Sequence, residues 1–296
     1  MEFTEVATET LLSPREFDDY TRPGGKPLIV RGWMQGWPAM DAWSFDFFKD
    51  TYGDDEVKLG CDAMSGDCDL VTTLADYIDY LTAEEADADL HRHHRRLGAE
   101  RPFYCTSYQP FLAHPELWDD IALPPFVLDW WPYFDLEFKR SHFPHVQGWI
   151  LLSPPGAVSR LHVDSHHTIT LLAQLRGTKE AYLFAPEDAE AVYHGAVDPA
   201  DPDHSRFPDL KMATCHRCVM TPGDMLFLPP DWWHHVVTKD HSITVSQNLV
   251  NHTNFGLYIR KALNRNLARF LNSLPPDGIG GSDVTAAGAS QEVRDA

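Results

Sequence analysis

HVDSHHTITLLAQLRGTKEAYLFAP at residues 162–186 and PGDMLFLPPDWWH at residues 222–234 share one design. Each joins a short apolar run to a histidine at one end, and each carries its own turn signal: Arg176-Gly177 in the first, Pro222-Gly223-Asp224 in the second. Outward from these stretches the pattern continues. Strands are expected at Trp149 to Leu152, Leu161 to Val163, Thr168 to Leu175, Glu180 to Phe184, Cys218 to Thr221, Met225 to Leu228, His235 to Thr238 and Ile243 to Asn248. Many short strands with polar turns predict an antiparallel barrel or sandwich.

Residues before and after this region read differently. Pro14 to Tyr20 suits a short helix, Pro27 to Gly32 a strand closed by glycine, and Val57 to Cys61 another strand. Ser44 is a good N-cap for a helix carrying Phe45, Phe47 and Phe48, and Thr73 to Leu81 is amphipathic at helical spacing. Residues 82–101 pass from acidic to the basic run HRHHRR at 91–96; without apolar periodicity they read as a solvated loop, although a histidine cluster can also bind metal. Pro102 to Tyr108 reads as a short aromatic strand. Asn254 can cap a helix with an apolar stripe from Phe255 to Leu274, ended by Pro275-Pro276. The expected organisation is one domain over 1–276, with a core barrel at about 146–250 and a C-terminal helix at about 254–274. Residues 277–296 are rich in Gly, Ala and Ser without periodicity and are expected to form a disordered tail.

Composition narrows the function. The chain has 24 Lys and Arg against 44 Asp and Glu, a formal net charge of -20. Such a field repels phosphate backbones and anionic membrane surfaces, so neither a nucleic acid nor a membrane is expected as partner. It favours a cationic substrate, although solubility alone also accounts for it. No apolar run approaches the roughly 18–20 residues of a membrane span, and the first residues lack a basic-then-apolar leader. A soluble cytoplasmic protein is the expectation. Five cysteines without a secretion signal argue against a disulfide framework. Cys215-His216-Arg217-Cys218 has the spacing of half a zinc site, but no second half is evident, and ordinary thiols are expected there.

The chemistry rests on three residues. His162 and Asp164 are two apart at the end of a strand-like run, where alternate side chains share a face. His234 follows a second apolar strand much later in the chain. Two imidazoles and one carboxylate on one face of a metal leave the opposite positions open. That suits non-haem Fe(II), which must accept a bidentate cosubstrate and dioxygen.

These motifs, with SITVSQN at 242–248 and KPLIVRGWMQGWPAMDAWSFDFF at 26–48, resemble the JmjC-domain, cupin-like 2-oxoglutarate oxygenases over roughly residues 14–260. The resemblance implies a mainly β fold, a double-stranded β-helix (jelly-roll, cupin-like) barrel with surrounding N- and C-terminal helices, and dimers through the C-terminal helix. It implies His162, Asp164 and His234 as metal ligands and catalytic centre, with Fe(II), 2-oxoglutarate and O2 as cofactors. His235 is the rival distal ligand, but the family motif ends at the histidine directly after Trp232-Trp233. Lys179 would pair with the far carboxylate of 2-oxoglutarate; Ser159, Ser246 and Tyr104 would add hydroxyls, and Trp149 a pocket wall. Strand alternation alone would not put Ser159 on the face of His162 without a bulge. Leu172 stands where many members have Asn, which puts a polar contact in doubt.

The reaction implied is hydroxylation of a C–H bond in a small molecule, peptide or protein, coupled to oxidative decarboxylation of 2-oxoglutarate to succinate. Demethylation follows where the carbon bears nitrogen. Asp164 favours hydroxylation over halogenation, since the related halogenases lack this carboxylate. The alternatives are a cupin-type metalloenzyme that does not use 2-oxoglutarate, a non-catalytic metal-binding module and a tRNA-modifying relative. The last is disfavoured by charge.

Overall fold

The computed structural model describes residues 2–61, 70–82, 89–134 and 148–261. Its N-terminal part lays short elements over one face of a barrel. β1 (Glu2–Glu5) and β2 (Ala7–Glu9) precede α1 (Pro14–Thr21), β3 (Leu28–Arg31), α2 (Pro38–Ala42) and α3 (Phe45–Tyr52). Ser13 and Glu16 form a reciprocal capping box that fixes the start of α1, and Ser44 accepts from the Phe47 amide to start α3. β4 (Glu56–Leu59) pairs antiparallel with β5 (Leu70–Thr73), and α4 (Leu74–Thr82) follows, burying Leu74, Tyr77, Ile78 and Leu81.

The histidine-rich run is not a loop. It forms α5 (Asp89–Leu97). The stripe was hidden because imidazoles replace aliphatic residues in it: His91 packs on Tyr80 with ring centroids 4.4 Å apart, and His94 lies 5.3 Å from Phe103 and bonds the Arg101 carbonyl at 2.7 Å. The aromatic segment after it is not a full strand either. It makes only isolated bridges, Gly60 to Tyr104 and Cys105 to Leu152.

All eight strands expected between residues 149 and 249 are present. They are β6 (Trp149–Ser153), β7 (Val158–His162), β8 (Ile169–Arg176), β9 (Lys179–Phe184), β10 (Thr214–Met220), β11 (Asp224–Leu228), β12 (Trp233–Thr238) and β13 (Ser242–Leu249). One sheet runs β2-β3-β11-β8-β13-β6 and the other β1-β10-β9-β12-β7. The eight barrel strands pair antiparallel throughout, whereas β1 and β2 join the edges in parallel. Consecutive barrel strands alternate between the two sheets except β9 and β10, which pair in one sheet, and this is the jelly-roll, or double-stranded β-helix.

β8, β9 and β11 are buried on both faces because both are covered. On β8, Ile169, Leu171, Ala173 and Leu175 pack outward against Phe17, Trp43, Phe48 and the other N-terminal residues of the largest core. Leu172 points the other way, into the barrel, where it meets Leu183, Met220, Leu226 and Val236. A third cluster, with Tyr182, Phe184, Leu210 and Cys215, seals the outside of the second sheet. Cys215 and Cys218 therefore fall on opposite faces of β10, and the four described cysteines are buried. Thiols on opposite faces of one strand cannot share one ion.

After β13, residues 255–261 are helical. Asn254 does not cap this helix with its side chain: its Oδ1 accepts from the Asn251 amide at 2.8 Å, and the Phe255 amide bonds the Asn251 carbonyl. Tyr258 is the buried anchor and stacks on Phe134 at 6.2 Å. The remainder of the expected helix and the tail at 277–296 lie outside the described residues.

Candidate active site

The strands β7 and β12 bring the two distant histidines together. His162 and His234 are cross-strand partners, and their ring centroids are 4.0 Å apart. Asp164 is placed differently from the sequence expectation. β7 ends at His162, so the carboxylate comes from the turn beyond it and not from strand alternation. It still faces both rings, with its Oδ1 3.8 Å from His162 Nε2 and 4.0 Å from His234 Nε2. These ligand atoms lie within 4.8 Å of one another, and no other group of three such residues occurs among the described residues.

Each ligand is oriented by its neighbours. His162 Nδ1 lies 2.6 Å from the Arg160 carbonyl and His234 Nδ1 3.1 Å from that of Trp232. Each Nδ1 thus donates its proton to a carbonyl and leaves Nε2 as a lone-pair donor toward the centre. The Thr170 hydroxyl donates to Asp164 Oδ2. Burial alone would raise the Asp164 carboxyl, but His234 and His162, then the Thr170 bond, outweigh it and hold the group below the ordinary carboxylate range. Burial lowers His234 to about 4, which keeps it neutral and able to bind metal.

The structure separates His234 from His235. His235 points to the outer face of the sheet, 1% exposed, with its Nε2 3.5 Å from the Asp198 carboxylate and its ring against Tyr182. It cannot reach the triad.

A cavity of about 260 Å³ extends from the triad into the barrel, lined by Tyr104, Trp149, Ser159, His162, Asp164, Lys179, His234 and Ser246 among others. All eight residues singled out from the sequence therefore share it. Ser159 joins because β7 carries the required bulge: His162 pairs with His234, yet Ser159, three back, pairs with Val236, only two on. Thr170, Thr244, Asn248 and Thr106 also line this cavity, and sequence reading missed them. Alternation could have found two: Thr244 and Asn248 flank Ser246 at two-residue spacing on β13. With Asn248 and Thr170 in the wall, the polar contact put in doubt by Leu172 has other donors. A larger cavity of about 460 Å³ lies against the outward residues Leu171 and Val245 and includes none of the triad.

Lys179 is the cation of the pocket. It is 1% exposed, its Nζ donates to the Tyr104 hydroxyl at 3.3 Å, and no carboxylate among the described residues pairs with it. Burial pulls its pKa down from 10.5 to about 7. Tyr104 is raised by burial to about 12, tempered by the hydroxyls of Ser159 and Ser153, and so stays a neutral donor. A buried lysine without a counter-anion is costly unless an anion arrives with the ligand. Two imidazole nitrogens, one carboxylate oxygen and this cation fit a ferrous ion and a dicarboxylate cosubstrate.

Barrel and triad together define a cupin-type protein with two histidines and one carboxylate placed so that they could hold a metal ion. The chain belongs to the family described as Cupin-like domain, whose model matches residues 14–251, and it is of the JmjC type. It is 30% identical over 236 residues to lysine-specific demethylase 8 of Danio rerio, covering 75% of this chain and 52% of that protein. An arginine-specific demethylase of Arabidopsis thaliana is 25% identical over 82% of this chain and 45% of its own length. The human tRNA wybutosine-synthesizing protein 5 is 26% identical over 79% of this chain and 74% of its own. The chain spans about half the length of several of the demethylases it matches, and 24% of another. No helix among the described residues is long and apolar enough to cross a membrane.

Proposed function

We propose that this protein is an Fe(II)- and 2-oxoglutarate-dependent oxygenase that hydroxylates a C–H bond of a substrate presented at the mouth of the barrel. The observation that carries this reading is Lys179, a buried cation that no carboxylate among the described residues pairs with, in the cavity that also holds the triad. With 2-oxoglutarate and dioxygen, a ferrous ion supplies oxidation of an unactivated C–H bond, coupled to release of succinate and carbon dioxide.

The chain's own residues bind, orient and exclude. His162, His234 and Asp164 would hold the metal, with tautomers and carboxylate orientation fixed by Arg160, Trp232 and Thr170. The Lys179 ammonium would neutralise the far carboxylate of the cosubstrate, assisted by the hydroxyls of Tyr104, Ser159 and Ser246. Trp149, Leu151, Leu172 and Val236 make that end of the pocket apolar, which strengthens the charge pairing and limits water.

Among substrates, the charge of -20 favours a basic side chain of a peptide, protein or amino acid over a nucleic acid. The demethylase names of several relatives are in keeping with that choice. The test is to load the protein anaerobically with Fe(II), add 2-oxoglutarate, oxygen and pooled basic peptides, and measure succinate together with substrate mass. Succinate and a gain of one oxygen, or loss of a methyl group, support the reading. Metal binding without succinate would leave a cupin enzyme of other chemistry, and no metal binding a non-catalytic module.

A further inference from the structure

Among the described residues, only four non-glycine residues have left-handed backbone: His167 (φ 53), Tyr193 (φ 51), His194 (φ 51) and Asp231 (φ 68). All four lie against the segments that present the metal ligands. Tyr193 and His194 pack on the outer side of β7 and Trp233, and Gly195 (φ +89) follows so closely that an added Cβ would lie 2.5 Å from the Leu161 carbonyl. His167 and Asp231 sit on the other side, in the turns themselves. His167 is three residues after Asp164, and Asp231 is three before His234.

These two residues are bonded to each other: His167 Nδ1 lies 2.6 Å from Asp231 Oδ1. The tie reaches further, since the His167 carbonyl accepts from Asn254 Nδ2 at 3.1 Å, and Asn254 is itself fully buried at the start of the C-terminal helix. Side chains that force unfavourable backbone persist only where the surroundings over-determine them, and such positions cluster at functional sites. Here one bond spans both ligand-bearing turns.

We propose that His167 and Asp231 are a positioning pair that fixes the distance between Asp164 and His234, and thereby the affinity and geometry of the metal site. The inference rests on the triad being a metal site. Neither residue lines the cavity or reaches a ligand atom, so the pair acts only through the two turns.

The test is Co(II) titration of metal-free protein, read by the visible d–d bands, alongside the metal-free melting temperature. Asp231→Gly and His167→Gly delete the bond and place a residue at ease with positive φ at each turn. We expect metal-free melting to hold or rise while Co(II) affinity falls by roughly 10–100-fold, with shifted bands, the range typical of lost support around metal ligands. The double variant should be no weaker than either single one, because both remove the same bond. Asp231→Asn keeps an acceptor and should recover most of the affinity. His167→Asn tolerates the left-handed backbone but is too short to reach Asp231, and gives a second measurement should a glycine variant not fold. Unchanged Co(II) affinity and bands in the variants would overturn the proposal alone. Failure of the unsubstituted protein to bind Co(II) would overturn the triad reading, and this one with it.

Discussion

His162 and His234 are direct cross-strand partners, and each bonds through its Nδ1 to the carbonyl two residues before it, Arg160 and Trp232. The same local device on two antiparallel strands aims both Nε2 atoms at one point. The centre thus has a geometry independent of the ion, and its parts can be tested singly.

His162→Ala, His234→Ala and Asp164→Ala should each abolish succinate release and weaken Mn(II) or Co(II) binding, as titration of metal-free protein would show. His235→Leu should leave both intact. Its ring nitrogens are buried without hydrogen bonds, so an apolar replacement of similar size should change stability by no more than about 1 kcal/mol. If His235→Leu lost metal while His234→Leu kept it, the ligand assignment would be reversed.

Lys179→Met should raise the KM for 2-oxoglutarate by roughly 10²-fold, the cost of leaving a buried carboxylate without its cation. Tyr104→Phe removes one bond to that ammonium and should cost about 1 kcal/mol, near fivefold. Steady-state succinate formation separates the two. Equal effects would mean that Lys179 does not face the cosubstrate.

Lys179 also predicts a pH dependence. Its pKa falls from 10.5 to about 7 on folding, so between those values the unfolded chain holds the proton that the fold gives up. The penalty for burying the charge is therefore complete below about pH 7 and disappears as pH rises toward 10.5. Stability of the ligand-free protein should rise over that window, and Lys179→Met should flatten the rise while increasing stability at pH 7. Added 2-oxoglutarate should favour the charged ammonium and take up protons on binding, measurable by calorimetry in buffers of different ionisation enthalpy. Binding without proton uptake near pH 8 would contradict the pairing.

Gly195→Ala should destabilise the fold by more than about 1 kcal/mol, because the residue is left-handed and an added Cβ would lie 2.5 Å from the Leu161 carbonyl. Urea unfolding measures this, and the neighbouring Leu161 makes a parallel loss of metal affinity the expected companion.

By itself the sequence determined the eight barrel strands, because their apolar runs and Gly or Pro turns are local signals. It also singled out His162, Asp164 and His234 as candidate ligands, whose motifs lie at the ends of single strands. Four things needed the tertiary structure. The bulge that turns Ser159 toward His162 exists only against the register of β12. The helix at 89–97 is held by Tyr80 and Phe103, partners from elsewhere in the chain, so its imidazole stripe gave no hydrophobic period. Asp164 reaches the metal point from beyond the strand, and the bond between His167 and Asp231 joins turns 64 residues apart. Periodicity reports which face of an element is buried, whereas pairing across the barrel sets which atoms meet.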